Sequence, residues 1–498
     1  MVKSSVVRAF VGFVTTASTS LLSILQGVLL PLVVLRYWDA SDYGKWVSIF
    51  AILEMFRFAD LSHQNYVGNA YSRQVLGERD ASFDTIRNAI SAVFAIAPIK
   101  LLCGVLLIVL TGFNVENTIV FLFLIKQCFL TSIFGMLTQV YRPHGLYARG
   151  LFVVHAKTII PVIMVCLFVW VFDGGFVAGF TVYLVFEIIC TLAGLFYTKK
   201  LFGLDSILGG KVKFGMVNFK KSMGLSVVDL FARGTSSGPV VLLERFTGGL
   251  SAGLFVTVRT LSNLVMQNAQ YLLWPIAHDF LRMKESEDSV GMRSIFVGTW
   301  LLCGLSSTSI IVILSLYGDT LFQLWTDSQF GTAQPLLTLL LLSAVFKLSG
   351  IGAWTFFHQM NLSSVLITHS ILKFALLLVA VLLLGIEPLS IALALLLSEG
   401  LGALYISLRL IRAAALRGFG VNAIFIAPWV IWPYAVGYLS IAFSSNILLY
   451  ISLVTIFSSA FLIWGFIATG SSVRLRLWLN IVRLFTTLKN KFSLQLSI

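Results

Sequence analysis

Twelve charged residues interrupt the long apolar runs of this sequence, and they are the groups with chemistry to offer. Seven are bases (Arg57, Lys100, Lys126, Arg233, Arg259, Lys347 and Lys373) and five are acids (Glu54, Asp60, Glu187, Asp229 and Glu399). Facing lipid at a helix centre, each would cost roughly 2.5–3.5 kcal/mol on insertion scales, so most must face water, protein or an interface. Their spacing has the helical period. Glu54, Arg57 and Asp60 recur every three residues with Gln64 continuing the stripe, and Arg259, Asn263, Gln267 and Gln270 gather on one narrow helical face. A desolvated guanidinium can grip phosphate through two parallel hydrogen bonds. Arg57 and Arg259 are therefore the first candidates for contact with an anionic ligand, followed by Arg233, Lys126, Lys347 and Lys373. Glu54, Asp60 and Asp229 are candidates for ion coupling or ion pairing. The plainer alternative is that the charges neutralise one another and fasten helices. It applies best to Asp229 and Arg233, four residues apart, and to Lys100, Lys126 and Glu187, of which a few can snorkel to an interface.

Other chemistry has less support. The five cysteines (Cys103, Cys128, Cys166, Cys190 and Cys303) lie in apolar runs without CxxC spacing, as expected of small buried hydrophobes rather than disulfides or zinc ligands. The six histidines are scattered and show no HExxH spacing. No catalytic residue, metal site or cofactor is expected. Asp39 and Asp42 are of the type that membrane glycosyltransferases or polymerases use to hold a metal or act as base, but a turn before the next helix accounts for Asp42-Tyr43-Gly44.

The elements that must position these charges follow from composition. The 498 residues are 58% apolar and 11% charged, whereas soluble domains average about 45–50% and 25%. So few charges cannot cover a core of this size; lipid must be the outer solvent. Apolar runs long enough to span the hydrocarbon region recur along the chain. They predict an all-α polytopic membrane protein of about 14 transmembrane helices near 12–36, 44–69, 88–111, 117–140, 152–172, 175–197, 223–243, 250–276, 294–317, 333–356, 362–385, 389–408, 421–442 and 447–469. The first run lacks a small-residue cleavage site and reads as a helix rather than a leader.

Alternate loops separate by charge. Those on the side of the N-terminus, with the tail, carry 25 basic residues (Lys157 among them), whereas the opposite side has only Arg36, Lys45 and Arg245. Both termini are accordingly expected in the cytoplasm. The net charge of +14 then reflects topology and lipid head groups, with no need of nucleic acid. The longest loop on the opposite side falls around 318–332.

The organisation expected is a six-helix bundle over 1–197, a cytoplasmic linker over 198–222, a second six-helix bundle over 223–408, a further helix pair over 409–470, and an amphipathic cytoplasmic tail over 471–498. A weak internal repeat supports the halving: Arg36-Tyr37 and Ser41–Val47 recur as Arg245-Phe246 and Leu250–Val256, at a constant offset of 209. Repeated halves with a site between them are a common transporter plan. In the tail, Leu475, Leu477, Ile481, Leu484, Phe485 and Leu488 share one broad face, as in an interfacial helix.

The opening pattern resembles a known family. A long apolar helix, then Asp42-Tyr43-Gly44-Lys45-Trp46, then a helix ending Phe58-Ala59-Asp60-Leu61 and running into Asn69-Ala70-Tyr71-Ser72-Arg73, is similar to the Wzx-type O-antigen flippases of the multidrug/oligosaccharidyl-lipid/polysaccharide exporter superfamily. The resemblance implies two six-helix bundles around a central cavity opening alternately to either side of a bacterial inner membrane. It implies as substrate an undecaprenyl-pyrophosphate-linked oligosaccharide, an O-antigen or exopolysaccharide repeat unit. A polysaccharide polymerase and other assembly proteins would be partners beside the membrane lipids. Lipid-II flippases, similar in plan, carry cavity arginines on early spans and on the eighth, where Arg57 and Arg259 stand here. The first span departs from that pattern, with Ser18, Thr19, Ser20 and Gln26 but no charge. Two alternatives remain: a drug or cation antiporter of the same superfamily, whose cavity should be dominated by acids, and a membrane glycosyltransferase, for which no large extramembrane domain is expected.

Overall fold

The computed structural model describes residues 27–57, 84–111, 117–141, 146–203, 216–285, 289–360 and 362–416, together with 143–144 and several positions between 63 and 75. All regular elements among them are helical. In chain order they are α1 (27–34), α2 (Ala40–Met55), α3 (Asp84–Thr111), α4 (Asn117–Lys126, Gln127–Thr131 and Ser132–Thr138 in succession), α5 (Tyr147–Phe172), α6 (Phe176–Phe202), α7 (Met216–Thr247), α8 (Gly249–Glu285), α9 (Ser289–Thr326), α10 (Gln334–Gln359), α11 (Ser363–Leu384) and α12 (Pro388–Leu416). The helix pair expected beyond α12 and the amphipathic tail lie outside the described residues, as does Asp60.

Eight helical stretches, in α3–α6, α8 and α10–α12, are long and apolar enough to cross a membrane. The helix α7 falls short of that standard because Asp229, Arg233, Glu244 and Arg245 interrupt it, and its position explains why it carries them. It packs against α2 of the first half as well as α8 and α11 of the second, so Asp229 and Arg233 lie partly buried against protein, while Arg245 is exposed near the helix end. The outward faces of α5, α6 and α11 expose Trp170, Phe172, Phe196, Leu382 and Leu383, as lipid-facing surfaces do.

Several helices outrun the expected spans, because intrahelical hydrogen bonding continues past the hydrocarbon-length core at 1.5 Å per residue. The ends of the 198–222 linker are helical, and α8 reaches Glu285. The loop expected around 318–332 is largely helix: α9 continues to Thr326, and the chain reverses where Asp327, Ser328 and Gly331 take positive φ values of 53°, 57° and 69°.

Beside a small cluster around Val67, Ile90 and Met136, two large apolar cores divide the helices. One joins Val34, Trp38, Trp46, Phe123, Val165, Phe180 and Tyr183 of the first half. Trp46 stands at its centre, with ring centroids of Trp38, Phe50, Phe176, Phe180 and Tyr183 between 4.8 and 6.4 Å away; such pairs add about 0.5–1.5 kcal/mol each beyond burial. The other core runs through α7–α12, from Leu225 to Leu410.

The halves touch through α2, which lies against α7 and α8. Near their N-termini α2 and α8 cross at backbone distance. A Cβ on Gly44 would lie 1.7 Å from the Gly249 carbonyl oxygen, and one on Gly253 would lie 3.1 Å from that of Ala40. Ala40 and Gly249 differ by 209 positions, as do Gly44 and Gly253. Each member of one pair thus meets a member of the other reciprocally, the signature of a two-fold relation, and the faint sequence repeat becomes a geometric one. Trp325 Nε1 donates to the Val28 carbonyl at 2.8 Å, tying the end of α9 to α1.

Candidate functional site

The charged residues form three connected groups. The first sits where α2 ends. The last turn of α2 brings Glu54 and Arg57 to one side, and Arg57 Nη1 donates to Glu54 Oε1. From the other half, Arg233 Nη1 on α7 donates to Glu54 Oε2 and, at 2.8 Å, to the Glu54 main-chain carbonyl. The Arg233 Nε is buried with no hydrogen-bond partner among the described residues. Asp229, one turn earlier on α7, is half-buried and engaged in an interaction of its own. Where the spacing suggests Asp229 as its partner, Arg233 reaches across to Glu54.

The second group lies inside the first half. Glu187 of α6 takes Lys126 of α4 on Oε2 and Lys157 of α5 on Oε1, the latter at 3.6 Å. Lys157 also approaches Thr131 Oγ1 at 3.5 Å. A π-turn over Gln127–Thr131 makes this possible, because i→i+5 pairing brings residues five apart, here Lys126 and Thr131, towards one face. All three charged side chains are buried. Lys126 and Glu187 neutralise each other in the core, as the plainer alternative expects, rather than at an interface. One expectation is corrected. Lys157 is no loop charge: it lies well inside α5, which begins at Tyr147.

The third group lies in the second half. Lys373 of α11 pairs with Glu399 of α12 at 2.6 Å. Gly402 permits this approach, since a Cβ there would lie 2.6 Å from Lys373 Cγ. The charges bearing on Lys347 of α10 are Glu399, Lys373 and Arg259, but Lys347 makes no ion pair or hydrogen bond among the described residues. Arg259 of α8 donates from Nη1 to the Ser236 carbonyl of α7 and lies over the Phe255 ring, 5.8 Å from its centroid. On the same stripe Gln267 Oε1 is buried without a partner among the described residues.

The two leading arginines are therefore linked through α7. Arg57 reaches it by way of Glu54 at Arg233, and Arg259 reaches it at Ser236, three residues or about 4.5 Å further along the axis. Arg233, Arg259, Lys347 and Lys373 fall into this neighbourhood, whereas Lys126 is sequestered with Glu187. Two further residues complete the groups without standing out in the sequence: Lys157 and His369, whose Nδ1 is buried without a partner among the described residues close to Gly402 and Lys373. A register match between halves draws attention to Lys157, since spans four, five and six carry Lys126, Lys157 and Glu187 where spans ten, eleven and twelve carry Lys347, Lys373 and Glu399.

Elsewhere, a shallow crevice between α9 and α10 is lined by Ile311, Leu314, Leu337, Leu341 and Val345 and holds no charged side chain. Asp42 at the start of α2 pairs with Lys45 at 2.9 Å. No cluster of three or more metal-ligating side chains occurs among the described residues.

No family model and no curated protein matches the sequence. Solved structures do match in fold. An inward-facing multidrug resistance MATE family transporter of the MOP superfamily superposes with a TM-score of 0.60 at 11% identity, covering 82% of this chain and 100% of its own. The Vibrio cholerae MATE transporter VcmN, in a mutant form, gives 0.61 at 14% identity, over 83% of this chain and 99% of its own. A MATE structure in a straight conformation gives 0.60 at 10% identity, over 83% and 96%. The chain has the fold of these transporters.

Proposed function

We propose that this chain is a flippase that carries undecaprenyl-pyrophosphate-linked oligosaccharide across a bacterial inner membrane, by alternating access between halves 1–197 and 223–408. The observation that carries this is the excess of cation where the halves meet and just behind it: Arg57, Arg233, Arg259, Lys347 and Lys373 against Glu54, Asp229 and Glu399. A diphosphate linked to a polyprenol needs charge compensation for its head group, while its tail needs only lipid; unaided, the head would face about 30 Å of hydrocarbon. The elements that supply the three arginines, the end of α2 with α7 and α8, are also those through which the halves touch, so binding and rocking share one surface. Arg259 and Lys347 of the second half offer the head group a guanidinium and an unspent ammonium. Surface polysaccharide assembly, with a polymerase acting on the translocated unit, is the process served.

Reconstituted in liposomes, the protein should move fluorescent polyprenyl-diphosphoryl saccharide from one leaflet to the other. Arg259→Ala should slow this about tenfold or more, because a hydrogen bond to a charged group is worth about 1.5–3 kcal/mol. Equal rates in wild type, variant and protein-free vesicles would remove the assignment.

A second reading, a drug or cation antiporter, is favoured by the fold it shares with multidrug transporters. It needs a carboxylate free to take a cation, and Glu54, Glu187 and Glu399 are each already engaged by bases. Efflux of cationic dyes from cells expressing the protein, abolished by Glu54→Gln, would turn the assignment towards it.

A further inference from the structure

Glu54 occupies an odd position for a residue of an anion-binding surface. Its two carboxylate oxygens are held one each by guanidiniums from opposite halves, Arg57 on Oε1 and Arg233 on Oε2. Two oxygens on one central atom, sharing one negative charge, present to a pair of arginines what two non-bridging oxygens of a phosphate would present. The site is open enough to be reached: the side chains of Arg57, Glu54 and Arg233 are 34%, 40% and 17% exposed. It is also undersatisfied, since Arg233 Nε is buried with no hydrogen-bond partner among the described residues. Finally, the contact lies at a structural break. The hydrogen bonding of α2 ends at Met55 with a tightened cap at Phe56, and Arg233 grips the Glu54 main-chain carbonyl at that end.

We propose that Glu54 is a resident substitute for the substrate's phosphate, holding the halves together until a phosphate takes its place. The proposal rests on the reading of the substrate as a phosphate-bearing lipid. An incoming diphosphate, with more charge and more acceptor oxygens than a carboxylate, takes Arg57 and Arg233 together. Glu54 then loses both counter-ions, Arg233 lets go of the end of α2, and the cross-half contact opens because the site is filled. A ligand with a lone carboxylate gains nothing over Glu54, so the same residue selects phosphorylated carriers against free acidic sugars. Because the empty site is occupied from within, apparent affinity falls with the fraction of molecules in which Glu54 is in place.

Two measurements on the full-length protein in lipid nanodiscs test this, with inorganic pyrophosphate as the probe. Glu54→Gln should bind pyrophosphate about tenfold more tightly than wild type, Glu54→Asp should stay near wild type, and Arg233→Gln should lose binding. Hydrogen exchange at the end of α2 should quicken on adding pyrophosphate to wild type, and should already be fast and unresponsive in Glu54→Gln. Unchanged or weaker binding by Glu54→Gln, or equal tightening by Glu54→Asp, overturns the displacement while leaving an anion site. Absence of pyrophosphate binding from every protein, with exchange at α2 unaltered by the probe, overturns the phosphate reading itself. The two failures are distinguishable.

Discussion

Each half of the molecule places two lysines and one glutamate on its last three helices, yet the two sets behave differently. In the first half Glu187 takes both Lys126 and Lys157, and all three side chains are buried behind the aromatic cluster around Trp46. In the second half Glu399 takes Lys373 alone, and Lys347 stands half-buried near Arg259 with its charge uncommitted among the described residues. The same three residue types thus make a closed clasp in one place and, in the other, leave an ammonium that no described side chain pairs with. The cause is local. The π-turn in α4 aligns Lys126 and Thr131 around Glu187, whereas Lys347 sits in an unbroken α10.

Removing the carboxylate of the closed clasp should have the largest effect. Glu187→Gln leaves two buried ammoniums without a counter-charge, and breaking a buried pair from one side costs about 3–5 kcal/mol. A thermal melt of the purified protein in detergent should show marked destabilisation or failure to accumulate. A variant as stable as wild type would mean that the first-half group is not a clasp. Glu399→Gln strands only one directly paired lysine, so it should destabilise less; equal losses would erase the difference between the halves.

How much of this can be read in the sequence depends on which neighbours matter. Stripes along a single helix are legible: Glu54 with Arg57, and Arg259 with Gln267, follow from the helical period alone. The offset of 209 between Arg36 and Arg245 also separates the residues that meet where α2 crosses α8, Ala40 from Gly249 and Gly44 from Gly253. Contacts between spans are not legible. Spacing on α7 suggests Asp229 as the partner of Arg233, but the cross-half carboxylate of Glu54 is 179 positions away. Lys157 is counted with the loop charges although the apolar run expected over 152–172 already contains it. The helix starts at Tyr147, and Glu187, thirty residues on, supplies the counter-charge that lets a lysine be buried.

The open group should fail in transport rather than in stability. Lys347→Ala removes an ammonium that no described side chain pairs with, so its melting temperature should stay near that of wild type. Its transport of diphosphate-linked saccharide should fall about tenfold, the worth of one charged hydrogen bond. Normal transport together with a large loss of stability would invert the assignment and make Lys347 part of a clasp like that of the first half.

The smallest effect separates the two lysines of the closed clasp. Lys157 contacts Glu187 at 3.6 Å, longer than a charge-assisted hydrogen bond of about 2.7–2.9 Å, while Lys126 holds the other oxygen more closely. Lys157→Met would leave one lysine on one glutamate, a neutral pair, and would fill the vacated volume with an unbranched apolar side chain. Exchanging a buried charge for a hydrophobe of similar size is often neutral or stabilising, so melting should shift by less than the equivalent of about 1 kcal/mol, and transport should not change. If Lys157→Met instead abolishes transport in a stably folded protein, the sealed group of the first half takes part in the cycle, and the two halves are functionally alike after all.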